Sequence, residues 1–299
     1  MVKGKVLISG SSGLVGSALT RLLISQGYSV GRLLRYQQAD QPYWDINAKQ
    51  LLLKEFANPD VVIHLAGENI GNGRWTEAKK KKLVDSRILS TKLLVEHFNT
   101  QTPAPKLFIC ASAIGFYGNR GREKLDEFSS AGTDFVSQLA LQWEESSQVI
   151  KQSGTRLVNL RTGIVISKKG GALGKMLLPF KMGFGGQIGS GEQIMSWIDI
   201  NDMVRAILFI IENESVKGPV NMVSPNPVNN RLFSQLLAKQ LRRPCIFPMP
   251  ACMVKLLFGE MGDELLLSST YVQPKKLLEA GFVFHYKKLE ESLLKQLGD

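Results

Sequence analysis

The chain has 299 residues, 44% of them hydrophobic, enough for one large α/β domain or two smaller ones with a full core. No stretch approaches the roughly 18 apolar residues that span a bilayer, and the first strand signal lies so near Met1 that no signal peptide is expected. The net charge of +11 suits anionic ligands, and the three cysteines, Cys110, Cys245 and Cys252, lack metal-ligand spacing and suit a reducing cytoplasm as buried apolar residues.

A short apolar run, Lys5 to Ile8, reads as a buried parallel strand. Gly10, Gly13 and Gly16 follow at spacing G-x-x-G-x-x-G. An apolar helical stripe then continues through Leu14, Leu19, Leu22 and Leu23 to Gly27, which is placed to end the helix. In this setting Gly10 allows a tight turn, Gly13 a close backbone approach and Gly16 close helix–strand packing. The free N–H groups of the helix start then face a pyrophosphate, whose charge the helix dipole favours. The spacing alone is weak. Its place between a strand and a helix makes dinucleotide binding the expectation, against a turn that only packs a helix on a sheet.

A second strand runs from Tyr28 to Leu34, and its end meets the adenosine ribose in a dinucleotide fold. An NAD enzyme places Asp or Glu there; this chain has Leu34-Arg35-Tyr36, with the nearest acid at Asp40. A guanidinium forks onto a 2′-phosphate, so Arg35 predicts NADP over NAD, with Arg32 as a second basic contact. The alternative for Arg35 is an ordinary exposed arginine. Tyr43-Trp44-Asp45-Ile46 reads as a short third strand, where Asp45 either contacts the adenine or caps a turn or helix. Asn58-Pro59-Asp60 punctuates the chain before a fourth strand, Val61 to Gly67, whose small last residues let the backbone approach a cofactor. His64 in this strand reads as a packed core histidine. With three histidines in the chain, no metal site is expected.

The polar loop Glu68 to Trp75 leads into a helix from Thr76 to Phe98. Its Lys79–Lys82 run reads as a solvated face rather than a nucleic-acid site, and Arg87 either reaches the cofactor phosphates or pairs with an acid. A fifth strand, Lys106 to Ala111, delivers Ser112 through Gly118 to the ligand crevice at the strand ends. There the Ser112 hydroxyl can polarise a carbonyl, and Tyr117 can act as acid or base once its pKa is lowered. A helix from Phe135 to Lys151 and a sixth strand from Thr155 to Arg161 follow, continuing through Val165 and Ile166. The glycine-rich stretch Lys169 to Gly191 ends in no lysine-serine signature and reads as a substrate-facing loop. Asn201 or Asp202 caps the helix after Trp197. From Pro219 prolines separate short helical stretches, of which Ala251–Leu257 and Lys287–Leu297 are the clearest.

The strand–helix alternation and glycine turn resemble the extended short-chain dehydrogenase/reductase superfamily, which includes sugar-nucleotide epimerases. Several further stretches are similar to one subgroup: Leu65-Ala66-Gly67-Glu68 with Arg74-Trp75, Ser112 through Gly118, Trp143-Glu144, and Leu160-Arg161-Thr162-Gly163. Gly189-Ser190-Gly191 with Trp197-Ile198, Asn221 through Pro225, and Gly281-Phe282 complete the set. The subgroup is the NAD-dependent epimerase/dehydratase-like family of NADP-dependent oxidoreductases with a small C-terminal domain of unknown function. The resemblance covers essentially the whole chain. It implies an α/β fold: a Rossmann-type doubly wound parallel sheet over residues 1–165, rejoined by 194–223, with a small, mainly helical C-terminal substrate lobe from 166–193 and 224–299. The family-specific part of that lobe is expected over residues 248–297.

It also implies NADP as cofactor. Gly10, Ser11, Ser12, Gly13, Leu14, Val15 and Gly16 match the pyrophosphate turn, Leu34 and Arg35 the 2′-phosphate position, and Leu65, Ala66 and Gly67 the segment beside the riboses. Arg87 and Val165 match positions near the cofactor, and Ser112 the catalytic serine. The superfamily's Tyr-x-x-x-Lys pair is replaced by Asp134 and Gln138. Tyr271-x-x-x-Lys275 contains Pro274, lies in the C-terminal lobe and reads as coincidence. Tyr117 is then either a substitute acid/base or a structural tyrosine. Two functions follow. One is a cytoplasmic NADP(H)-dependent oxidoreductase or epimerase-like enzyme on an unidentified carbonyl or hydroxyl substrate; the other is a catalytically silent NADP-binding sensor or scaffold. Neither needs nucleic acid or a membrane. The resemblance also implies a homodimer through the helices after the fourth and fifth strands, with Lys79–Lys82 outside the contact.

Overall fold

The computed structural model describes residues 3–298. At its centre lie six strands, β1 (Lys5–Ser9), β2 (Ser29–Leu33), β3 (Val61–His64), β4 (Leu107–Ala113), β5 (Arg156–Thr162) and β6 (Gly218–Met222), in the spatial order β6-β5-β4-β3-β1-β2. Every neighbouring pair is parallel. The strand order reverses between β1 and β3, and the crevice of such a sheet opens above the C-terminal ends at that switch point.

Nine helices among the described residues are α1 (Leu14–Ser25), α2 (Glu77–Asn99), α3 (Phe135–Ser146), α4 (Gly171–Lys181), α5 (Ile200–Glu212), α6 (Asn230–Leu241), α7 (Ala251–Phe258), α8 (Lys275–Glu279) and α9 (Leu289–Leu297). Strand alternation divides the core. Val6, Ile8, Ile63 and Ile109 pack against Leu19 and Leu23 of α1 and Met203, Ile207 and Ile210 of α5. Leu7, Val62, Phe108 and Cys110 face the other way, onto Leu94 and Phe98 of α2 and Trp143 of α3. The central strands are apolar at successive positions because both faces are covered.

Four sequence expectations need correction. Tyr43–Asp45 does not extend the central sheet. It forms a hairpin with Gln50–Leu52, tethered to the end of β2 by a bridge from Leu34 to Tyr43 and buried through Trp44, which is 1% exposed. The glycine-rich stretch holds a helix, α4, with Pro179 inside it. The stretch opening at Pro219 is a sheet strand, β6; a proline is tolerated there because β6 is an edge strand with a free side. The helix after Trp197 is capped by Asp199, whose carboxylate accepts the Asn201 amide at 2.7 Å, and not by Asn201 or Asp202.

The C-terminal lobe has its own core, in which α4, α6 and α9 enclose Trp197 and Phe233. A second contact joins it to the sheet domain. Phe258, Met261 and Leu265 pack on Trp75, Leu83, Val136 and Leu139, and Lys80 of α2 reaches Glu260 at 2.6 Å. Lys79 likewise pairs with Glu68 at 2.6 Å, so only Lys81 and Lys82 of the lysine run stand fully exposed. Cys110 is buried as expected, but Cys252 is exposed. On α2 and α3 Leu89 is the one exposed large apolar residue among the described residues. No helix among the described residues is long and apolar enough to cross a membrane.

Candidate cofactor site and the buried network beside it

The glycine turn is built as its spacing requires. Gly10 sits at φ +71°, and a Cβ there would lie 2.7 Å from the Leu65 carbonyl carbon. A Cβ on Gly16 would lie 2.2 Å from the Gly10 oxygen, so only glycine lets α1 approach the turn. Gly13 donates its amide to Gly10 O at 3.0 Å and stands at the N-cap of α1 without a side-chain cap. The first helical bond is Ser17 N to Gly13 O at 2.9 Å. Among the described residues the amides of Leu14, Val15 and Gly16 therefore have no acceptor in the protein. Three parallel donors at a helix N-terminus form a seat for an anion. Ser11 is buried beneath the turn and Ser12 is exposed above it.

Two arginines lie at the end of β2 and just beyond it. Arg32, at the end of β2, brings its Nε to 3.5 Å from Ser11 Oγ. Arg35 is exposed three residues further on. Of the two, Arg32 is the one tied to the turn, because an alternate strand position points it there, whereas sequence reasoning favoured Arg35. Leu34 spends its backbone on Pro42 O and on the Trp44 amide, at 2.9 Å each, and so holds the hairpin. Asp45 takes the turn role that was one of its two sequence readings, its Oδ1 accepting the amides of Asn47 and Ala48 at 2.9 and 3.0 Å.

Leu65, Ala66 and Gly67 line the exit of β3, with the Leu65 amide on Ser9 O at 3.2 Å. Behind Gly67 stands Arg87, 8% exposed. Its guanidinium donates to Leu83 O at 3.1 Å and Glu68 O at 3.0 Å and lies 4.9 Å from the Trp143 ring centroid. Burial pulls its pKa down to about 10. Arg87 braces the Glu68 loop through backbone carbonyls and, among the described residues, forms no ion pair with an acid. Val165 is half-buried; its carbonyl lies 3.6 Å from where a Cβ on Gly171 would be, and Leu14 reaches the same glycine. The start of α4 is so brought beside the glycine turn.

The two candidate catalytic residues share one buried network. Ser112, at the end of β4, donates its hydroxyl to Glu144 Oε1 at 2.7 Å. Glu144 on α3 takes a forked pair from Arg161 on β5, at 2.8 and 2.9 Å. Arg161 also donates to the Tyr117 oxygen at 3.0 Å and lies 3.5 Å from the Phe116 ring centroid. Tyr117 donates in turn to Asn221 Oδ1 on β6 at 2.7 Å. Beyond Asn221, Glu127 Oε1 accepts the amides of Asn221 and Lys276 at 3.1 and 3.3 Å. Tyr117 is 0% exposed, and burial pushes its hydroxyl up to about 12 despite the Arg161 charge beside it. With its oxygen buried and taken up by Arg161 and Asn221, Tyr117 fits the structural reading better than the acid/base one. Ser112 is 4% exposed and is held by Glu144.

α3 carries no tyrosine–lysine pair in any register. The buried positions of its first turns are Val136, Ser137, Leu139 and Ala140. Asp134 is the N-cap, accepting the Ser137 amide at 2.8 Å, and Gln138 is exposed. Glu264 of the C-terminal lobe occupies the rest of the helix start, accepting the amides of Phe135 and Val136 at 3.3 and 2.9 Å. Sequence reasoning missed Glu264 and gave Glu144, Arg161 and Asn221 no role. A charged residue inside the apolar runs around Trp143 and Leu160 was the available signal, but it does not name a partner.

Sheet order, glycine turn and uncapped helix define an NAD(P)-binding Rossmann protein of the extended short-chain dehydrogenase/reductase kind. The chain belongs to the NAD dependent epimerase/dehydratase family, which matches residues 6–223; residues 249–295 match a domain of unknown function, DUF1731. Epimerase family protein Mb2239 of Mycobacterium bovis is 39% identical over 295 residues, 98% of this chain and 97% of that protein. Epimerase family protein SAR0825 of Staphylococcus aureus is 37% identical over 298 residues, 96% of this chain and 97% of that protein. The crystal structure of human epimerase family protein SDR39U1 with NADPH has a TM-score of 0.90 at 32% identity, covering 98% of this chain and 99% of that one.

Proposed function

We propose that this chain binds NADP(H) and is a cytoplasmic oxidoreductase of the epimerase family, acting on a small substrate with a carbonyl or hydroxyl group. The observation that carries the reading is the seat of unpartnered amides at Leu14, Val15 and Gly16 with the Arg32 guanidinium beside Ser11. In this reading the turn holds the pyrophosphate and Arg32 with Arg35 the 2′-phosphate. Leu65, Ala66 and Gly67 lie along the riboses, and Val165 lies near the cofactor. The cofactor supplies or accepts the hydride. The relative with NADPH in its crystal structure supports the choice of cofactor. Ser112 would have to turn its hydrogen away from Glu144 to hold a carbonyl oxygen, and with Tyr117 closed off a water is the remaining proton source. A second reading, a catalytically silent NADP-binding sensor or scaffold, is favoured by α3, where Asp134 and Gln138 replace the pair and no buried residue of the first turns can replace it.

The test is a fluorescence titration with NADPH and NADH on wild type, Arg32→Ala and Arg35→Ala, followed by NADPH turnover on a panel of carbonyl compounds. Hydrogen bonds to charged groups contribute about 1.5–3 kcal/mol. Each variant should lose roughly tenfold to hundredfold in NADPH affinity and little in NADH affinity. Equal binding of both cofactors by wild type overturns the NADP assignment. Tight NADPH binding without turnover on any carbonyl selects the sensor.

A further inference from the structure

The positive charge of this chain is not spread over its surface. Residues 162–191 and 215–259, which build most of the C-terminal lobe, contain ten of the 37 Lys and Arg and none of the 26 Asp and Glu. The rest of the chain is near neutral, with 27 cations against 26 acids. The same stretches carry exposed apolar side chains. Leu178, Phe184 and Ile246 are 65%, 61% and 68% exposed, and Phe247 is 52% exposed.

A short parallel ribbon brings these residues together. The Phe247 amide donates to Gly185 O at 3.2 Å, and the Met249 amide to Gln187 O at 2.9 Å. Phe184 and Phe247 then meet edge to face with ring centroids 5.8 Å apart. Leu178 lies in the last turns of α4, whose Pro179 carbonyl accepts the Phe184 amide at 3.0 Å. α7, entered through Pro250, adds Leu256, 73% exposed. Lys181, Arg242 and Arg243 stand exposed in the same segments, with no acidic partner at ion-pair distance among the described residues.

We propose that this face of the C-terminal lobe docks the protein on an anionic lipid surface, with Phe184, Ile246 and Phe247 entering the interface and Lys181, Arg242 and Arg243 meeting the headgroups. Such a combination of apolar tips and flanking cations is the chemistry of an interfacial anchor, without any span of the bilayer. Ile246 borders a cavity of about 210 Å³ with Arg231 and Cys245, whereas Phe184 and Phe247 stand out from the surface, which suits insertion. A second copy would oppose cations to cations. Nucleic acid would meet aliphatic Leu178, Ile246 and Leu256, which neither stack nor hydrogen-bond. This inference is independent of the cofactor assignment.

The experiment is flotation of the full chain with vesicles of phosphatidylcholine alone and of equal parts phosphatidylcholine and phosphatidylglycerol. Wild type should float with the anionic vesicles only. Each cation near such a surface contributes about 1 kcal/mol, roughly fivefold in partition. The double variant Arg242→Glu/Arg243→Glu should therefore lose at least a hundredfold, and Phe184→Ser/Phe247→Ser more than tenfold. Lys92→Glu, an exposed reversal on α2, should lose little. Unchanged melting temperatures show that the variants fold. The proposal is overturned if wild type does not float, if the phenylalanine variant floats as well as wild type, or if Lys92→Glu loses as much as the arginine variant. Self-association without lipid, or binding to an oligonucleotide, that the phenylalanine variant abolishes would assign the face to that partner instead.

Discussion

His64 ties the end of β1 to α2, and protonation at this site should destabilise the protein. The Ser90 hydroxyl has a single hydrogen, and its shortest carbonyl contact is Ser86 O at 2.7 Å; with the hydrogen given there, Ser90 Oγ accepts from His64 Nε2, 3.0 Å away. Nε2 therefore carries the hydrogen, and Nδ1 accepts from Ser9 Oγ at 2.6 Å. The neutral ring is fully satisfied. A second proton on Nδ1 would face the Ser9 hydroxyl hydrogen, in a site that is 0% exposed, with the Arg87 charge nearby. Burial, and after it Arg87, pulls the pKa down from 6.5 to about 3.

The folded pKa lies below the unfolded one, so the unfolded chain takes up the proton first. Stability is present above about pH 6.5 and is lost as pH falls toward 3. At about 1.36 kcal/mol per pH unit the loss between about pH 7.5 and pH 5 amounts to about 2 kcal/mol. The assay is urea unfolding across that range for wild type and for His64→Gln, whose amide can both donate and accept. The difference in unfolding free energy between the two should shift by about 2 kcal/mol against wild type as the pH falls. A difference that does not change with pH would refute the buried neutral imidazole.

Two further outcomes follow from the site. Tyr117→Phe removes the hydroxyl shared by Arg161 and Asn221 and should cost about 1–3 kcal/mol in urea unfolding while leaving NADPH affinity and any turnover unchanged; loss of turnover with affinity intact would restore Tyr117 as an acid/base. Gly16→Ala places a Cβ against the Gly10 carbonyl and should cost roughly 1–3 kcal/mol of stability. Because the donors at Leu14 and Val15 move with α1, that variant should also bind NADPH at least about tenfold more weakly; wild-type affinity in the titration would mean that the turn does not seat the phosphates.

The backbone framework was legible because its signals are local. Lys5 to Ile8, Val61 to Gly67 and Lys106 to Ala111 read as strands from their apolar runs, and the spacing of Gly10, Gly13 and Gly16 between a strand and a helix pointed to the turn before any contact was known. Where local punctuation and tertiary demand disagree, the reading failed. Pro219 reads as a break, yet an edge strand accepts it; the glycines around α4 read as loop, yet packing against Leu173 and Phe180 holds a helix there.

The chemistry of the site was less legible. For Asp45, Arg87 and Tyr117 the sequence left two roles open, because a residue's type does not say which of its atoms are already occupied. Their hydrogen bonds run to Ala48, Glu68 and Asn221, the last across 104 residues of sequence. Glu264 meets α3 across 128 residues. The sequence by itself determined the parallel sheet, the dinucleotide turn, the loss of Tyr-x-x-x-Lys and the concentration of charge, since each is a matter of order along the chain. Only the tertiary structure decided which polar groups are free to act, because burial and hydrogen-bond partners, and with them the pKa, come from residues that folding alone brings together.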